Sequence, residues 1–236
     1  MNPRAEHHSG FDDLSDWYAT GVGRAFEAAT DPILARLVEA RPGERWLDAG
    51  AGAGRLAALL AARGAEVVAT DHDAGLLDLA AARAPEVTTV VASLENLPFG
   101  DASFAGATCV TVLEFVTDRA AAVAELARVL ADDAPLVVGA MHRSSLWGLG
   151  HRLQGRYARS SYGRGAFART EEIDRMLAEA GLAPEGDWQR AVWWPPLGGP
   201  VGPLRSAIDA AGSRLAPGSA AFVARRARRG PRAARA

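Results

Sequence analysis

Lysine is absent from the 236-residue sequence, and cysteine occurs once, as Cys109. A chain without lysine cannot carry the phosphate-binding loop G-x-x-x-x-G-K-[ST], and a single cysteine cannot form an intrachain disulfide. The sequence also lacks any apolar run close to the ~20 residues of a membrane span. Its opening, MNPRAEHHSGFDD, lacks the charged start and apolar stretch of a secretory signal. We therefore expect a cytoplasmic protein with no transmembrane segment.

Arginine supplies all 26 basic residues, and the formal net charge is −2. With abundant alanine and glycine, this composition indicates the coding bias of a high-GC bacterial genome. Residues 1–135 hold 10 arginines and 21 acids, a net charge of −11, whereas residues 136–236 hold 16 and 7, a net charge of +9. The basic half indicates either an anionic substrate or a solvated surface with arginine bias. No stacking aromatics interleave its arginine-rich tail, so we expect no nucleic-acid partner.

The stretch RWLDAGAGAG carries the strongest chemical signal in the sequence. An apolar, strand-like start leads through Asp48 into Gly50, Gly52 and Gly54, and a helix-like run follows at once. A strand that turns on glycines into a helix lets a ligand approach backbone N–H groups at the helix N-terminus. Asp71 ends the next apolar run, where a carboxylate can accept hydrogen bonds from a ribose diol. The pattern predicts a nucleoside cofactor.

Spacing and charge distinguish the possible cofactors. A dinucleotide fingerprint, G-x-G-x-x-G, needs its third glycine for close helix–strand packing, and Arg55 stands at that position here. Asp48 would also place a negative charge beside a pyrophosphate. S-adenosylmethionine (SAM) has no phosphate and carries an ammonium and a sulfonium, which a carboxylate attracts. The sequence favours SAM, with a dinucleotide-dependent oxidoreductase as the less favoured alternative.

Four blocks of the chain together resemble the class I SAM-dependent methyltransferases, in particular the group that includes the ubiquinone/menaquinone-biosynthesis methyltransferases. The blocks are LDAGAGAG, VVATDHDAGLLDLAAAR, SLENLPFGDASFAGATCVTVLEFVTD and ELARVLADDAPLVVGAM. The resemblance implies transfer of a methyl group from SAM to an oxygen, nitrogen or carbon nucleophile of a small-molecule acceptor. A catalytically silent, cofactor-binding partner protein is the main alternative.

The resemblance also implies a set of cofactor-binding residues. Tyr18 resembles an N-terminal tyrosine that closes over the cofactor, and His72 follows Asp71 near the adenine. In the family an acid after the third strand accepts from the adenine amino group; Ser93 stands there in this chain, so the charge-assisted contact is missing. The full expected set is Tyr18, Asp48, Gly50, Gly52, Gly54, Asp71, His72, Ser93, Leu94 and Val110.

No residue is assigned as catalytic from the sequence. Methyl transfer needs mainly alignment of the nucleophile and exclusion of water, and it needs a base only for a poorly acidic acceptor. Glu114, just past the fourth strand, and His142, just past the fifth, stand where a base could act. A structural role is the simpler interpretation of each. No ligand pair has strong zinc spacing, so we expect no metal.

Short apolar runs alternate with helical patterns along the chain. This alternation predicts an α/β fold, with a doubly wound, mostly parallel seven-stranded sheet and helices on both faces, the Rossmann-like methyltransferase fold. Helices are expected over residues 54–63, 73–83, 118–130 and 170–180.

The remaining domain organisation is predicted from the composition of the segments that flank these strands and helices. We expect residues 1–40 to form N-terminal lid helices and residues 41–223 to form the methyltransferase domain, with a substrate-loop insertion over 143–169. Residues 224–236 are expected to be a disordered, arginine-rich tail. The acceptor is expected to be a small anionic or aromatic molecule, and the protein to be a monomer or a homodimer.

Overall fold

The computed structural model describes residues 20–154, 166–195 and 202–231. Within these ranges seven strands form one sheet: β1 (Arg45–Ala49), β2 (Glu66–Asp71), β3 (Thr88–Val91), β4 (Gly106–Val110), β5 (Pro135–Met141), β6 (Leu182–Ala191) and β7 (Phe222–Arg229). The strand order is β3-β2-β1-β4-β5-β7-β6. Strands β1 to β5 run parallel, and β7 runs antiparallel to both β5 and β6. The predicted seven-stranded, mostly parallel sheet is confirmed.

Helices fill the connections between the strands. They are α1 (Gly21–Leu37), α2 (Arg55–Ala61), α3 (Ala74–Arg83), α4 (Arg119–Val129), α5 (Leu146–Gln154), α6 (Thr170–Glu179) and α7 (Gly202–Leu215), with a 3-10 turn at Pro217–Ser219. Each of the four helices expected from the sequence is present. Two of them begin at N-cap aspartates, Asp73 for α3 and Asp118 for α4, whose side chains accept backbone N–H groups of the first turn.

The sheet is covered on both faces because successive residues of a strand point to opposite sides. In β1, Leu47 packs in the core cluster that contains Leu126 of α4 and Leu177 of α6. Its neighbour Trp46 packs in the other cluster, which contains residues of α1, α2 and α3, among them Leu60. Strands β4 and β5 are buried along their whole length, as expected of central strands in a doubly covered parallel sheet.

The sheet has a topological switch point between β1 and β4. The chain leaves β1 toward β2 and β3, whereas it leaves β4 in the opposite direction, toward β5. In such sheets ligands bind in the crevice outside the carboxyl ends of the strands at the switch point. Asp71 and Val110 stand at the carboxyl ends of β2 and β4, and Asp48 is the penultimate residue of β1. The fold therefore brings these predicted site residues to the edge of the crevice.

The expected disordered tail over residues 224–236 is wrong for 224–229, which belong to β7. Ala224 and Ala227 are fully buried in the sheet. Arg226 and Arg228 pair with Glu185 of the neighbouring strand β6, at 2.5 and 2.7 Å. Strand partners on both sides and acids for the arginines stabilise a segment that composition alone assigned to disorder. Residues 232–236 lie outside the described residues.

Helix α1 is one of the packed layers of the fold. Phe26 is fully buried, and its ring centroid lies 5.7 Å from that of Phe222 and 5.8 Å from that of Trp147. Of the lid helices expected over residues 1–40, this helix is described, whereas Tyr18 lies outside the described residues. Across the described ranges, no helix combines the length and apolar character that a bilayer crossing requires.

Candidate cofactor and active site

The turn between β1 and α2 consists of glycines in the left-handed backbone region. The φ angles of Gly50, Gly52 and Gly54 are 72°, 51° and 78°. Residues with a Cβ rarely adopt these angles, so the turn requires glycine. At Gly50 an added Cβ would also lie 2.3 Å from a methyl carbon of Val112, because the turn passes directly beside the chain that follows β4.

Backbone N–H groups of this turn are largely used within the protein. Gly50 and Ala51 both donate to the carbonyl of Thr70, at 2.7 and 2.8 Å. Gly52 donates to Oδ2 of Asp71 at 2.9 Å. The expectation that the turn offers these N–H groups to a ligand is therefore wrong; the glycines provide space rather than donors. A diphosphate, which relies on such donors at a helix N-terminus, gains little here.

Asp71 is held in place at the end of β2. Its side chain is 9% exposed, and besides the Gly52 N–H it accepts the backbone N–H of Asp73 at 3.0 Å through Oδ1. The Nδ1 atom of His72, whose side chain is 58% exposed, lies 3.1 Å from the same oxygen. An ionised carboxylate offers about four lone-pair sites. This oriented group therefore keeps capacity for ligand hydroxyls.

Asp48 is a buried carboxyl group at the base of the turn. Its Oδ1 accepts the Thr108 hydroxyl at 2.7 Å, whereas its Oδ2 has no partner at hydrogen-bonding geometry among the described residues. Burial raises the pKa of Asp48 to about 6, although the Thr108 hydroxyl, the backbone N–H of Ala57 and the charge of Arg55 act in the opposite direction. A buried carboxylate oxygen without a partner is costly, and a cation beside it would remove that cost.

One cavity connects these groups. It has a volume of about 790 Å³, within the range of small-molecule sites. Its lining includes eight of the ten residues predicted from the sequence: Asp48, Gly50, Gly52, Asp71, His72, Ser93, Leu94 and Val110. Gly54 is not part of the lining, and Tyr18 lies outside the described residues.

A second acid, Glu95, supports Ser93 at one end of the cavity. The Ser93 hydroxyl donates to Oε2 of Glu95 at 3.0 Å, and Oε1 of Glu95 accepts the backbone N–H of Asp118 at 2.8 Å. Both Ser93 and Glu95 line the cavity. The sequence interpretation noted the missing acid at Ser93 and overlooked Glu95, although a carboxylate two residues after a serine is within local hydrogen-bonding reach.

Of the two candidate bases, Glu114 lines the cavity and His142 does not. Oε1 of Glu114 accepts the backbone N–H of Met141, and Oε2 has no partner among the described residues. Burial raises the pKa of Glu114 to about 7. His142 is buried beside β5, where desolvation, followed by the charge of Arg190, lowers its pKa. The structure therefore distinguishes Glu114, which lines the cavity, from His142, although the sequence offered both as candidate bases.

Comparison with known proteins gives a family match for the central part of the chain. The family model described as a methyltransferase domain matches residues 47–138. This range runs from β1 into β5 and therefore contains the glycine turn, Asp71, Ser93 and Glu114. The resemblance to SAM-dependent methyltransferases is confirmed.

Named relatives agree with this assignment. The demethylmenaquinone methyltransferase of Beutenbergia cavernae is 35% identical over 128 residues, 54% of this chain and 52% of that protein. The 2-phytyl-1,4-naphtoquinone methyltransferase of Trichormus variabilis is 34% identical over 142 residues, 56% of this chain and 60% of that protein. The chain thus spans about half to three fifths of the length of these relatives.

A solved structure has a similar fold over most of the chain. It is a SAM-dependent methyltransferase from Thermotoga maritima, described as a possible histamine N-methyltransferase, with a TM-score of 0.70 and 23% identity. The match covers 92% of this chain and 94% of that one. The predicted Rossmann-like methyltransferase fold is thereby confirmed.

Arg55 connects helix α1 to the lining of the cavity. This residue begins α2, and its guanidinium pairs with Asp31 and, at 3.7 Å, with Glu27 of α1. Both Glu27 and Arg55 line the cavity. From the sequence Arg55 only counted against a dinucleotide; in the methyltransferase domain it also anchors the first helix.

The aromatic residues near the predicted substrate loops are mostly packed. Trp147 and Trp194 are buried against each other with ring centroids 5.4 Å apart, and the Trp147 indole N–H donates to the Trp194 carbonyl at 2.7 Å. Trp188 donates to Asp174 at 3.1 Å. Phe167, by contrast, lines the cavity. Residues 155–165 of the insertion lie outside the described part of the chain. Among the described residues, no group of three or more His, Cys, Asp or Glu side chains could hold a metal.

Proposed function

We propose that the protein is a SAM-dependent methyltransferase that acts on a small-molecule acceptor. The observation that carries this proposal is Asp48, whose buried Oδ2 lacks a partner among the described residues at the base of a cavity-lining turn. A cationic, phosphate-free nucleoside would balance the negative charge of that oxygen. A diphosphate would be repelled by the same charge, and it would find the backbone N–H groups of the turn already hydrogen-bonded. The same arrangement disfavours a dinucleotide-dependent oxidoreductase.

Each predicted residue has a role in this proposal. Asp71 accepts from the ribose hydroxyls, Asp48 faces the cationic methionine portion, and Leu94 and Val110 provide apolar cover. When bound, SAM supplies a methyl group activated by the sulfonium. The protein aligns an acceptor with that methyl group and excludes water. The closure of Tyr18 over the cofactor stays a prediction.

We propose an aromatic acceptor of the quinone class rather than an anionic one. Phe115, Met141 and Phe167 line the cavity and give it an apolar wall. The basic charge of the second half, by contrast, is partly neutralised within the fold, where Arg226 and Arg228 of β7 pair with acids. The two named relatives are quinone methyltransferases, which agrees with this choice. A cytoplasmic location and a monomeric or homodimeric state stay predictions.

Activity is tested by incubating the purified protein with methyl-tritiated SAM and a reduced demethylmenaquinone, and by repeating the assay with a bacterial metabolite extract. Label in the quinol supports the full proposal. Label only in another compound of the extract would support methyltransferase activity but contradict a quinone acceptor. Binding of S-adenosylhomocysteine without any transfer would instead favour the catalytically silent partner protein.

Replacing Asp71 with alanine should weaken binding of S-adenosylhomocysteine by about 1.5–3 kcal/mol, the cost of losing hydrogen bonds to a charged group. Isothermal titration calorimetry measures the change. Asp78→Ala is the matched control, because Asp78 is exposed on α3 and does not line the cavity. An unchanged dissociation constant for Asp71→Ala would show that Asp71 does not bind the ribose. Tight binding of NADH, without binding of S-adenosylhomocysteine, would show that the cofactor is a dinucleotide instead of SAM.

Glu95 is expected to compensate for the missing acid at Ser93. The Ser93 hydroxyl donates to Glu95 and also accepts the Glu95 backbone N–H at 3.3 Å, so its second lone pair can accept from an adenine amino group. Ser93→Ala should therefore weaken S-adenosylhomocysteine binding by about 0.5–1.5 kcal/mol, the net value of one hydrogen bond. The control ligand is S-inosylhomocysteine, which has a carbonyl in place of the amino group. An equal loss for both ligands would contradict the contact.

A further inference from the structure

Two buried carboxyl groups line the same cavity, and each has one oxygen without a partner among the described residues. They are Asp48 at the glycine turn and Glu114 past the end of β4. The proposed cofactor, when bound, would account for Asp48. Glu114 has no such explanation, although a buried acceptor left without a partner costs about 1–3 kcal/mol.

The backbone around Glu114 is held by several contacts. Its own carbonyl accepts the N–H of Ala166 at 2.8 Å. Arg119, at the start of α4, donates through Nε to the Leu113 carbonyl at 2.7 Å and also to the Ala166 carbonyl. With Oε1 fixed by the Met141 N–H, the carboxyl group has a defined orientation before any ligand binds. Such preorganisation is what a catalytic group requires.

A purely structural role does not require an acid at this position. The Met141 N–H needs one acceptor oxygen, which a glutamine would provide without placing an ionisable group in a buried site. The neighbours of Glu114 in the cavity lining include Phe115, Met141 and Phe167. An aromatic acceptor packed on these side chains would lie beside Glu114.

We propose that Glu114 is a catalytic residue of the methyltransferase, the base that takes a proton from a hydroxyl or amine of the acceptor. This inference rests on the proposed function. As the acceptor atom forms its bond to the methyl carbon, the methyl–sulfur bond breaks and its electron pair stays on sulfur. When the attacking atom is an oxygen or a nitrogen, its proton moves to Oε2 of Glu114. When it is a ring carbon of a quinol, the hydroxyl proton moves to Oε2, and loss of the proton from the methylated ring carbon to the quinol oxygen restores the aromatic ring. In both cases the proton on Glu114 leaves to solvent after the product.

The electrostatics of the site agree with this role. Burial raises the pKa of Glu114 to about 7, while the Met141 N–H and the charge of Arg119 act in the opposite direction. On the neighbouring strand β4, burial raises the pKa of the Cys109 thiol, and the charges of Glu114 and of Asp48 on β1 raise it further. A base is most effective when its pKa lies near the working pH. The ionised, proton-accepting fraction of Glu114 should therefore rise through neutral pH.

Glu114→Gln separates the catalytic from the structural role, because glutamine keeps a carbonyl oxygen for the Met141 N–H. We expect kcat to fall by about 10²–10⁴-fold, the usual value of general base catalysis, with the melting temperature kept and the dissociation constant of S-adenosylhomocysteine changed less than about twofold. His142→Gln is the control and should keep activity, because His142 does not line the cavity. Retained activity in Glu114→Gln would overturn the proposal, whereas failure of the wild type to bind S-adenosylhomocysteine would overturn the proposed function.

A second measurement does not depend on finding the acceptor. Infrared difference spectra of the wild-type complex with S-adenosylhomocysteine should contain the carbonyl band of a protonated, buried carboxyl group. We expect that band to disappear on titration through about pH 7 and to be missing in Glu114→Gln. A Glu114 that stays ionised, or stays protonated, across the range from about pH 6 to pH 8.5 could not accept the proton, and the proposal would fail.

Discussion

Replacing Gly54 with alanine is expected to destabilise the protein by about 2–5 kcal/mol. Part of the cost, about 1–2 kcal/mol, comes from forcing a residue with a Cβ into the left-handed region at φ 78°. The rest comes from packing. The new Cβ would lie 2.7 Å from Cβ and 2.8 Å from Cα of Ala80, so helices α2 and α3 would have to separate. Urea denaturation monitored by circular dichroism measures the loss.

Gly52→Ala is the matched control for this prediction. Gly52 has a left-handed φ of 51°, but an added Cβ would meet nothing within 4 Å. Its stability cost should be limited to about 1–2 kcal/mol. Because Gly52 lines the cavity and Gly54 does not, the folded fraction of Gly54→Ala should keep its affinity for S-adenosylhomocysteine, whereas Gly52→Ala should lose affinity. Equal stability of the two variants would mean that Gly54 does not serve the packing of α2 on α3.

The same turn illustrates what the sequence could predict. A strand, three alternating glycines and a helix are local features, so the β1–turn–α2 unit was identified from ten consecutive residues. The different roles of the glycines could not be predicted in this way, because Gly54 contacts Ala80 on another helix and Gly50 lies against Val112 beyond β4. Contacts between distant parts of the chain decided what each glycine does.

The second half of strand β7 was assigned to a disordered tail for a related reason. Six arginines after Val223 dominate the composition of the tail and hide the buried residues Ala224 and Ala227. The acids that pair with Arg226 are Glu185 and Glu39, which are 41 and 187 positions away in the sequence. No local pattern links such partners, so the end of an ordered strand was interpreted as part of a disordered tail.

The candidate site, too, could be predicted from the sequence only in part. Asp48 and Asp71 could be assigned from their places next to predicted strands, because the carboxyl ends of parallel strands meet at one edge. Glu114 could not be separated from His142, since that distinction depends on which side chain reaches the cavity. The isolation of one oxygen on each buried carboxyl group is a property of the assembled core, and the sequence carries no sign of it.

Asp48→Asn is expected to stabilise the ligand-free protein and to weaken its binding of SAM. Burial raises the pKa of Asp48 from 3.8 to about 6. The folded state therefore holds this proton more tightly than the unfolded state does. The resulting stability is fully present below about pH 3.8 and is lost as the pH rises through 6. At about pH 8 the ionised group is a net cost, and its removal should raise the free energy of unfolding by about 1–3 kcal/mol.

The binding of SAM should show the opposite dependence. A cation beside Asp48 favours the ionised carboxylate, so the affinity of the wild type should rise as the pH increases from about 5 to 7. In Asp48→Asn that rise should disappear, and at neutral pH the affinity should be about 10–100-fold lower, the value of a hydrogen bond to a charged group. Calorimetric titrations at several pH values measure both effects, with Asp78→Asn as the control. A variant that is less stable than the wild type at about pH 8, yet binds SAM equally well, would show that Asp48 stabilises the turn instead of binding the cofactor, since a buried charge kept for binding must cost stability when the cation is missing.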